Sequence, residues 1–586
     1  MPGTLPPDAL PEPEHGFEDS RRLTGANRWF DGPAVTLTPL GDAAGDAGAH
    51  ARWAARVARV AALLGWPGPR PMAHRHAGGV LLTFAAPAEC LMTATELNEW
   101  AWERSAAEAD TAHERAFDIA HDFDEAAATG MFRARAAAEE RPGLQALMAA
   151  ARGRGLLALA DDDALSLGAG HAGMTWPLDA LPAPADVPWS RLGDIPTVLV
   201  TGSNGKTTTV RLLAAIGAEA GLATGFSCTE GLFVAGQAVD TGDWSGPAGA
   251  RAVLRHPGVQ AAVLETARGG LLRRGLAVAR ADVAVVTNIS PDHLGEYGID
   301  SDADLAEAKL VVAHAVAHGG WLVLNSDDAV LMAAADRLPH ARSARRALFA
   351  QAFDDPAPSA CRAAGGSTCG VRQGHLWLWH AGAQHDLGAV ADLPVTLGGA
   401  ARHNIENAAA AALAAGVLGW PATAIRTVLQ RFGASPQDNP GRLERWAHRG
   451  ATVLVDYAHN PEGLAQLLQV ARALGGRRLG LLLGQAGNRD DSAIVELART
   501  AAGFSPDRVV IKELPAMLRG REPGSVPALL ERSLREARLD AARCSLVPDE
   551  EAAALDLLAW AQPGDVIVLP VHTAAVRARL AGHLAR

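Results

Sequence analysis

The sequence predicts an α/β protein whose middle and C-terminal parts are built on buried parallel strands, preceded by an α+β segment. Three observations predict it. From Thr197 onward, apolar runs alternate with helix-patterned stretches, each run ends in polar residues, and one of these ends is a glycine-bracketed turn carrying a lysine. Buried runs joined by helical crossovers are the pattern of a parallel sheet covered on both faces, and such sheets take ligands at the carboxyl ends of their strands.

Up to about residue 190 the pattern is mixed. "AVTLTPL" and "GGVLLTFAAPA" read as strands, and alanine- and glutamate-rich helical stretches run from Leu97 to about Met148. "PLDALPAPADVPWSRLGDIP" then strings prolines together as an interdomain linker does. This divides the chain into domains at 1–187, 188–435 and 436–586. In the second, "TVLVTG", "AAVLETA", "DVAVVTN" and "WLVLNSDD" read as strands, 345–397 as a small β-rich insertion with "HLWLWHAG", and "GGAARHNIENAAAAALAAG" as a helix with a glycine stop. The alternation resumes in the third with "ATVLVDYAHNP", "RLGLLLGQAGN", "DRVVIKE" and "DVIVLPV". A length of 586 residues agrees with several cores rather than one.

Composition narrows the function classes. The chain is 48% hydrophobic and 20% charged, which is the balance of a folded globular protein. Its net charge of -12 is modest for the length, and basic residues form no long block, which argues against a nucleic-acid surface. The five cysteines match no zinc or disulfide spacing and read as reduced thiols. The opening "MPGTLPPDALPEPEHGFEDS" is proline-rich and acidic, reads as a flexible lead-in, and lacks the features of a signal peptide. No apolar stretch approaches the ~20 residues that cross a bilayer. A cytoplasmic protein with no membrane or nucleic-acid partner is expected.

In "VLVTGSNGKTTTVRLL", Gly202, Ser203, Asn204, Gly205, Lys206, Thr207 and Thr208 lie where a strand turns into a helix. Glycines let backbone amides approach phosphate oxygens, a lysine neutralises them, and a threonine hydroxyl can ligate magnesium. The full Walker pattern needs glycine at position 200, where this chain has Val200, so the turn is a shorter variant. Glu265 ends the next buried strand as a natural magnesium ligand. Asn288, Asp292 and His293 follow another, and Lys309 lies on the expected helix "DLAEAKLVVAHAV". Arg442 in "GRLERW", with Asp456 and His459 in "VLVDYAHNP", falls near a fourth strand end.

"TGSNGKTTT", the strand-end glutamate, "NISPDHLG", "ARHNIENAAAA", "GRLE" and "DYAHNP" occur in an order and spacing that resemble the Mur ligase family, over about residues 190–586. The resemblance implies a central P-loop domain and a Rossmann-like C-terminal domain. It also implies an ATP- and magnesium-dependent ligase that activates a carboxylate as an acyl phosphate and joins it to an amine. "ETARGGLLRRGL", "DHLG" in place of the usual "DHLD", and "IKELPAMLRGREPG" resemble the Mur-type half of the cyanophycin synthetases, which attach arginine to an aspartate-backbone polymer. "RRLTGANRW" and "MTATELNEWA" resemble the N-terminal domain of that group. The ATP-grasp domain which those enzymes carry between these parts has no room ahead of Gly202, so one ligase centre is expected.

By the same resemblance, Lys206 and the glycine turn hold the β- and γ-phosphates, Thr207 and Glu265 one magnesium, and His293 a second. Lys309 occupies the position where many Mur ligases carry a carbamylated lysine. Asn288, Asn407, Arg442 and Asp456 belong to nucleotide binding, with closure of the C-terminal domain about a linker near Gly433 to Pro440. Arg268, Arg273 and Arg274, beside "TGDWSGP", are expected to hold a small acidic amino acid or peptide. Arg489 and Asp490, in "GQAGNRDDS", are expected on the side of the amino-acid co-substrate, and His459 in the structure of its loop. Family members include monomers and symmetric assemblies, so a homo-oligomer stays open. A folylpolyglutamate-type glutamyl ligase, a nucleotide-binding scaffold without turnover, and a generic P-loop phosphotransferase are the alternatives.

Overall fold

The computed structural model describes residues 16–108, 124–291 and 294–585. Its contacts divide it into two compact units, one formed by the chain up to Gly202 with Leu222–Leu322 and Ala329–Arg345, the other by Ser203–Gly221, Val323–Asp328 and the chain from Arg346 onward.

The first unit opens with an antiparallel sheet of β1 (Phe17–Leu23), β2 (Ala34–Pro39), β3 (Met72–His76) and β4 (Gly79–Ala85), in the order β1-β2-β4-β3. The helix Ala47–Leu63 starts at Asp46, whose carboxylate accepts the N–H groups of Gly48 and Ala49. It buries Trp53, Val57, Val60 and Ala61, the spacing of one helical face, in a core shared with Phe84 and with Trp102 of the helix Leu91–Ala107. The Trp53 indole N–H donates to Asn98 Oδ1 at 2.9 Å inside this core. A small sheet of β5 (Ala158–Ala160), β6 (Ala164–Leu167) and β7 (Met174–Pro177) follows.

The larger sheet of this unit contains β8 (Thr197–Thr201), β9 (Thr224–Cys228), β10 (Gly231–Val234), β11 (Gln237–Thr241), β12 (Ala261–Glu265), β13 (Ala281–Val286) and β14 (Val316–Asn325), in the order β11-β10-β9-β12-β8-β13-β14. The strands β9, β12, β8 and β13 pair in parallel, and β9, β8 and β12 are buried along their whole length, as parallel strands covered on both faces must be. Their carboxyl ends at Thr201, Glu265 and Val286 lead directly into "GSNGK", "TARGG" and "TNISP".

In the second unit the helix Lys206–Glu219 packs against the helices Arg402–Val417 and Ala422–Leu429. The run Ala408–Ala412 is fully buried, and its small side chains allow a close approach. β15 (Arg345–Ala352), β16 (Ser367–Arg372), β17 (His375–His380) and β18 (Ala383–Ala389) follow one another in sheet order. The last sheet holds β19 (Glu444–His448), β20 (Ala451–Asp456), β21 (Leu479–Leu483), β22 (Arg508–Ile511), β23 (Cys544–Leu546) and β24 (Val566–Pro570), in the order β19-β20-β24-β21-β22-β23. Only β19 runs antiparallel to its neighbour.

Two local expectations change. The stretch "DLAEAKLVVAHAV" is α-helical only over Asp302–Leu310, followed by one 3-10 turn, Val311–Ala315, and then by β14. Val311 and Val312 are buried, and paired β-branched residues favour leaving the helix there. The acidic lead-in becomes β1 from Phe17, in register with β2, while its first fifteen residues lie outside the described ones. Among the described residues no helix is long and apolar enough to cross a membrane.

Candidate active site

In the first unit, β8 ends at Thr201 and the chain turns at Gly202 with φ of 145°. A Cβ there would lie 1.8 Å from the Thr287 hydroxyl, so only glycine fits this close approach of two strand ends. Glu265 closes β12 at 2% exposure and accepts a hydrogen bond from the Thr229 hydroxyl at 2.9 Å. Asn288 stands half-buried just beyond β13. Asp292 and His293, the second expected metal position included, lie outside the described residues.

Lys309 is 3% exposed near the end of the helix Asp302–Leu310, whose first turn is closed by a capping box of Ser301 and Asp304. That helix is gripped from the N-terminal segment. Arg28 pairs with Asp304 and with Glu307 at 3.0 Å and donates to the Gly298 carbonyl at 2.8 Å. Among the expected substrate arginines, Arg268 is buried and paired with Glu296 at 2.5 Å. Arg273 is exposed and donates to the Tyr297 hydroxyl at 2.7 Å. Arg274, also exposed, accepts the Thr24 N–H at its carbonyl. The segment "RRLTGANRW" thus holds the end of the arginine helix, Arg268–Arg274, and the helix of Lys309, a positioning role that its sequence alone does not disclose.

The second unit carries the rest of the glycine turn. Gly205 is the N-cap of the helix Lys206–Glu219, with φ of 83° and no side-chain cap hydrogen bond, and a helix N-terminus is where backbone amides and the helix dipole favour an anion. A Cβ on Gly205 would meet Asn407 Oδ1 at 2.1 Å. Asn407 in turn donates to Asn404, which donates to the Val395 carbonyl at 2.8 Å, so a buried amide ladder sets its orientation. Lys206 Nζ lies 3.0 Å from the Ser203 carbonyl, folded back over the turn.

Three further contacts reach this turn from residues after 430. Arg442 donates to the Thr207 hydroxyl at 3.4 Å, Asn439 to the Thr208 hydroxyl at 3.1 Å, and Asn460 to Asn204 Oδ1 at 3.1 Å. Asn204 itself donates to Glu462 at 3.0 Å. Asp456, at the end of β20, accepts the N–H groups of Leu443 and Ala458 at 2.6 and 2.7 Å. Burial pushes its carboxyl above the ordinary range, against the pull of Arg442. The Arg442 guanidinium stacks 4.6 Å from the centre of the Tyr457 ring. Asn439, Tyr457, Asn460 and Glu462 were not singled out from sequence. Tyr457 and Asn460 lie inside the "DYAHNP" stretch, where they were within reach, whereas nothing local marks Asn439.

Farther along the chain, Arg489 is buried and accepts at its carbonyl from Arg521 at 2.6 Å. Asp490 caps the helix Asp491–Gly503 through the Ala493 N–H at 2.7 Å. Its carboxylate therefore already has a structural use.

A glycine turn between a buried strand and a helix, with asparagines and an arginine closing on it, defines a P-loop nucleotide-binding α/β protein. The residues fit the groups expected of one: the Glu265 carboxylate in the first unit and the Thr207 hydroxyl in the second are each hard oxygen donors of the kind magnesium takes. The chain matches the Mur ligase middle domain over residues 200–415 and the Mur ligase glutamate ligase domain over 441–570. It is 37% identical over 384 residues to the cyanophycin synthetase of Trichormus variabilis, covering 65% of this chain and 42% of the relative. The cyanophycin synthetase of Synechocystis sp. gives 37% over 379 residues, 64% and 42%. A UDP-N-acetylmuramoyl-L-alanyl-D-glutamate--2,6-diaminopimelate ligase of Xanthomonas campestris gives 32% over 383 residues, 63% of this chain and 70% of the relative. The chain belongs to the Mur ligase family. It spans less than half the length of the cyanophycin synthetases it matches.

Proposed function

We propose that the protein activates the carboxylate of a small acidic amino acid or peptide with ATP and joins it to the amine of an amino acid, as in cyanophycin-type chemistry. The observation that carries the reading is the closure of the glycine turn by Asn407, Asn439, Arg442 and Asn460, all from regions that sequence matching places in the ligase domains or beside them.

An amide does not form from a carboxylate and an amine without activation. Lys206 and the amides after Gly205 neutralise the triphosphate, so that the acceptor carboxylate can attack the terminal phosphorus and leave as an acyl phosphate, with ADP released. The amine then adds to the acyl carbon, and the tetrahedral adduct expels phosphate. Magnesium, when bound, withdraws charge from the phosphate oxygens. In this reading Thr207 and Glu265 hold one ion and His293 a second, while Asn288, Asn407, Arg442 and Asp456 place the nucleotide. Arg268, Arg273 and Arg274 attract the acidic substrate, and Arg489 with Asp490 borders the amine. Lys309, buried on its clamped helix, faces the same chemistry as a cation or as a carbamate. The domains are those drawn at 1–187, 188–435 and 436–586. The substrates are charged soluble metabolites, which puts the enzyme in the cytoplasm.

The test is phosphate release from ATP with every pairing of aspartate, glutamate, β-aspartyl and glutamyl peptides against the common amino acids, followed by mass spectrometry of the product. One pair should yield an amide together with stoichiometric ADP, and Lys206→Ala should lower turnover by at least about a hundredfold. Undiminished turnover in that variant overturns the reading.

A further inference from the structure

At the carboxyl edge of the last sheet lies a group of charges that this reaction leaves unused. Lys512, directly after β22, is 0% exposed. Its ammonium donates to a carboxylate oxygen of Glu550, to the Pro570 carbonyl, and to Nδ1 of His572 at 3.1 Å. An ammonium has three donors, and here each finds an acceptor. The buried Glu550 carboxylate also accepts the N–H groups of His572 and Thr573 at 2.8 and 3.0 Å, tying the chain after β24 to the start of the helix Glu550–Trp560.

Such a group is a poor way to stabilise a fold. Removing two charges from water costs several kcal/mol per ion, and apolar side chains of similar volume usually do as well. Its consequence for hydrogen-bond direction is more informative. An ammonium has no lone pair, so His572 Nδ1 must accept, and the ring proton is forced onto Nε2. Nε2 lies 3.2 Å from the Ala458 carbonyl and donates to it. Ala458 stands in the turn after β20, between Asp456, which accepts its N–H, and Asn460, which holds Asn204 of the glycine turn. Gln485 secures the same turn through the His459 carbonyl at 2.9 Å.

We propose that Lys512, Glu550 and His572 are positioning residues of the nucleotide site: they fix the tautomer of His572 and thereby hold the 456–460 turn, and through Asn460 the glycine turn, in the geometry that receives the phosphates. The idea rests on the ligase reading for the identity of the nucleotide, but its test reads binding alone. His572 faces Lys512, Glu550, Arg577, His459 and the ring of Tyr457. Burial, then the Lys512 ammonium, holds its imidazole well below the usual histidine range, so it stays neutral at ordinary pH.

ADP binding to the full chain with magnesium, measured by calorimetry from pH 5.5 to 7, below the value of about 8 to which burial lowers the Lys512 ammonium, provides the test. The unaltered protein should bind without a histidine-like pH step. His572→Leu should weaken binding about tenfold, whereas His572→Gln, whose amide can both accept from Lys512 and donate to Ala458, should stay within about threefold. Lys512→Met leaves Glu550 to draw a proton onto His572, so binding should acquire a pH step near the ordinary histidine value of about 6.5. The double variant Lys512→Met with His572→Gln should lose that step. If Lys512→Met does not fold, the two His572 variants decide. Equal binding by His572→Leu and the unaltered chain overturns this proposal alone. Absence of ADP binding in the unaltered chain overturns the ligase reading and this proposal together.

Discussion

Gly25 lies so close to Leu276 that a Cβ built on it would sit 2.1 Å from the Leu276 carbonyl oxygen. The contact is framed by two backbone hydrogen bonds, from Thr24 to the Arg274 carbonyl at 2.7 Å and from Leu276 to the Ala26 carbonyl at 2.8 Å. Glycine at 25 is thus required by a backbone-to-backbone approach, not by a turn. Gly25→Val must part the N-terminal segment from the end of the arginine helix. We expect a local loss of about 1–3 kcal/mol, seen as a ten- to hundredfold faster native-state proteolysis near that segment. Wild-type cleavage kinetics in the variant would show that the approach is not needed.

Arg28 makes the second grip. Its side chain is 4% exposed between Asp304 and Glu307, which keep 23% and 22%, so solvent screens part of the interaction. Arg28→Leu should cost about 1–2 kcal/mol and lower hydrogen-exchange protection in the helix Asp302–Leu310. The pH dependence has a definite sign. Burial alone would raise the Asp304 carboxyl, but the Ser301 hydroxyl and the Arg28 guanidinium outweigh it and hold the group below the usual range. A carboxyl with a depressed folded pKa stabilises fully above its unfolded value of about 3.9, and the contribution fades as pH falls through the folded value. Protection of this helix should therefore be constant from pH 5 to 8 and drop below about pH 4, with a smaller drop in Arg28→Leu. Equal acid sensitivity in both would remove Arg28 from the account.

These two grips mark where the sequence stops being legible. β8, β12 and β13 could be read because buried parallel strands leave uninterrupted apolar runs, and the glycine turn because its chemistry is contiguous from Gly202 to Thr208. "RRLTGANRW" was recognisable as a motif but silent as to purpose, since Gly25 and Arg28 act on residues some 250 to 280 positions away. The same holds for Lys512, Glu550 and His572, each an ordinary residue at a strand or helix end until the sheet brings them together. Helix length failed for a nearer reason. After Leu310 the valines are taken by burial, and local propensity gave no warning of the strand that follows.

The magnesium role proposed for Glu265 can be tested at Thr229, which touches it. The Thr229 hydroxyl donates to Glu265 Oε1 at 2.9 Å and so directs which carboxylate lone pairs remain for a metal. Groups that orient a ligand typically change metal affinity about ten- to hundredfold when lost. Thr229→Val, which keeps the shape and removes the donor, should raise the magnesium concentration needed for half-maximal phosphate release about tenfold, while Thr229→Ser stays near wild type. Identical magnesium titrations for both variants would detach Thr229 from the site.

Asn439 connects the C-terminal part of the second unit to the helix that starts at Lys206. At 5% exposure its amide donates to the Thr208 hydroxyl at 3.1 Å and to the Arg442 carbonyl at 3.4 Å, while Oδ1 has no hydrogen-bond partner among the described residues. It lines a cavity of about 310 Å³ together with Asn404, Arg442 and Leu443. A buried acceptor without a donor is a standing cost, and it is relieved when a donor arrives. Asn439→Ala removes that acceptor and the link to Thr208 together, whereas Asn439→Asp keeps an acceptor for the Thr208 hydroxyl but adds a charge beside the proposed phosphate site. Alanine should weaken ADP binding about fivefold, the worth of one hydrogen bond. Aspartate should weaken it further, with a loss that shrinks as salt rises, because a repulsion between charges is screened and a missing hydrogen bond is not. Calorimetric titrations at low and high salt separate the two, and a salt-independent loss in Asn439→Asp would place this residue away from the phosphates.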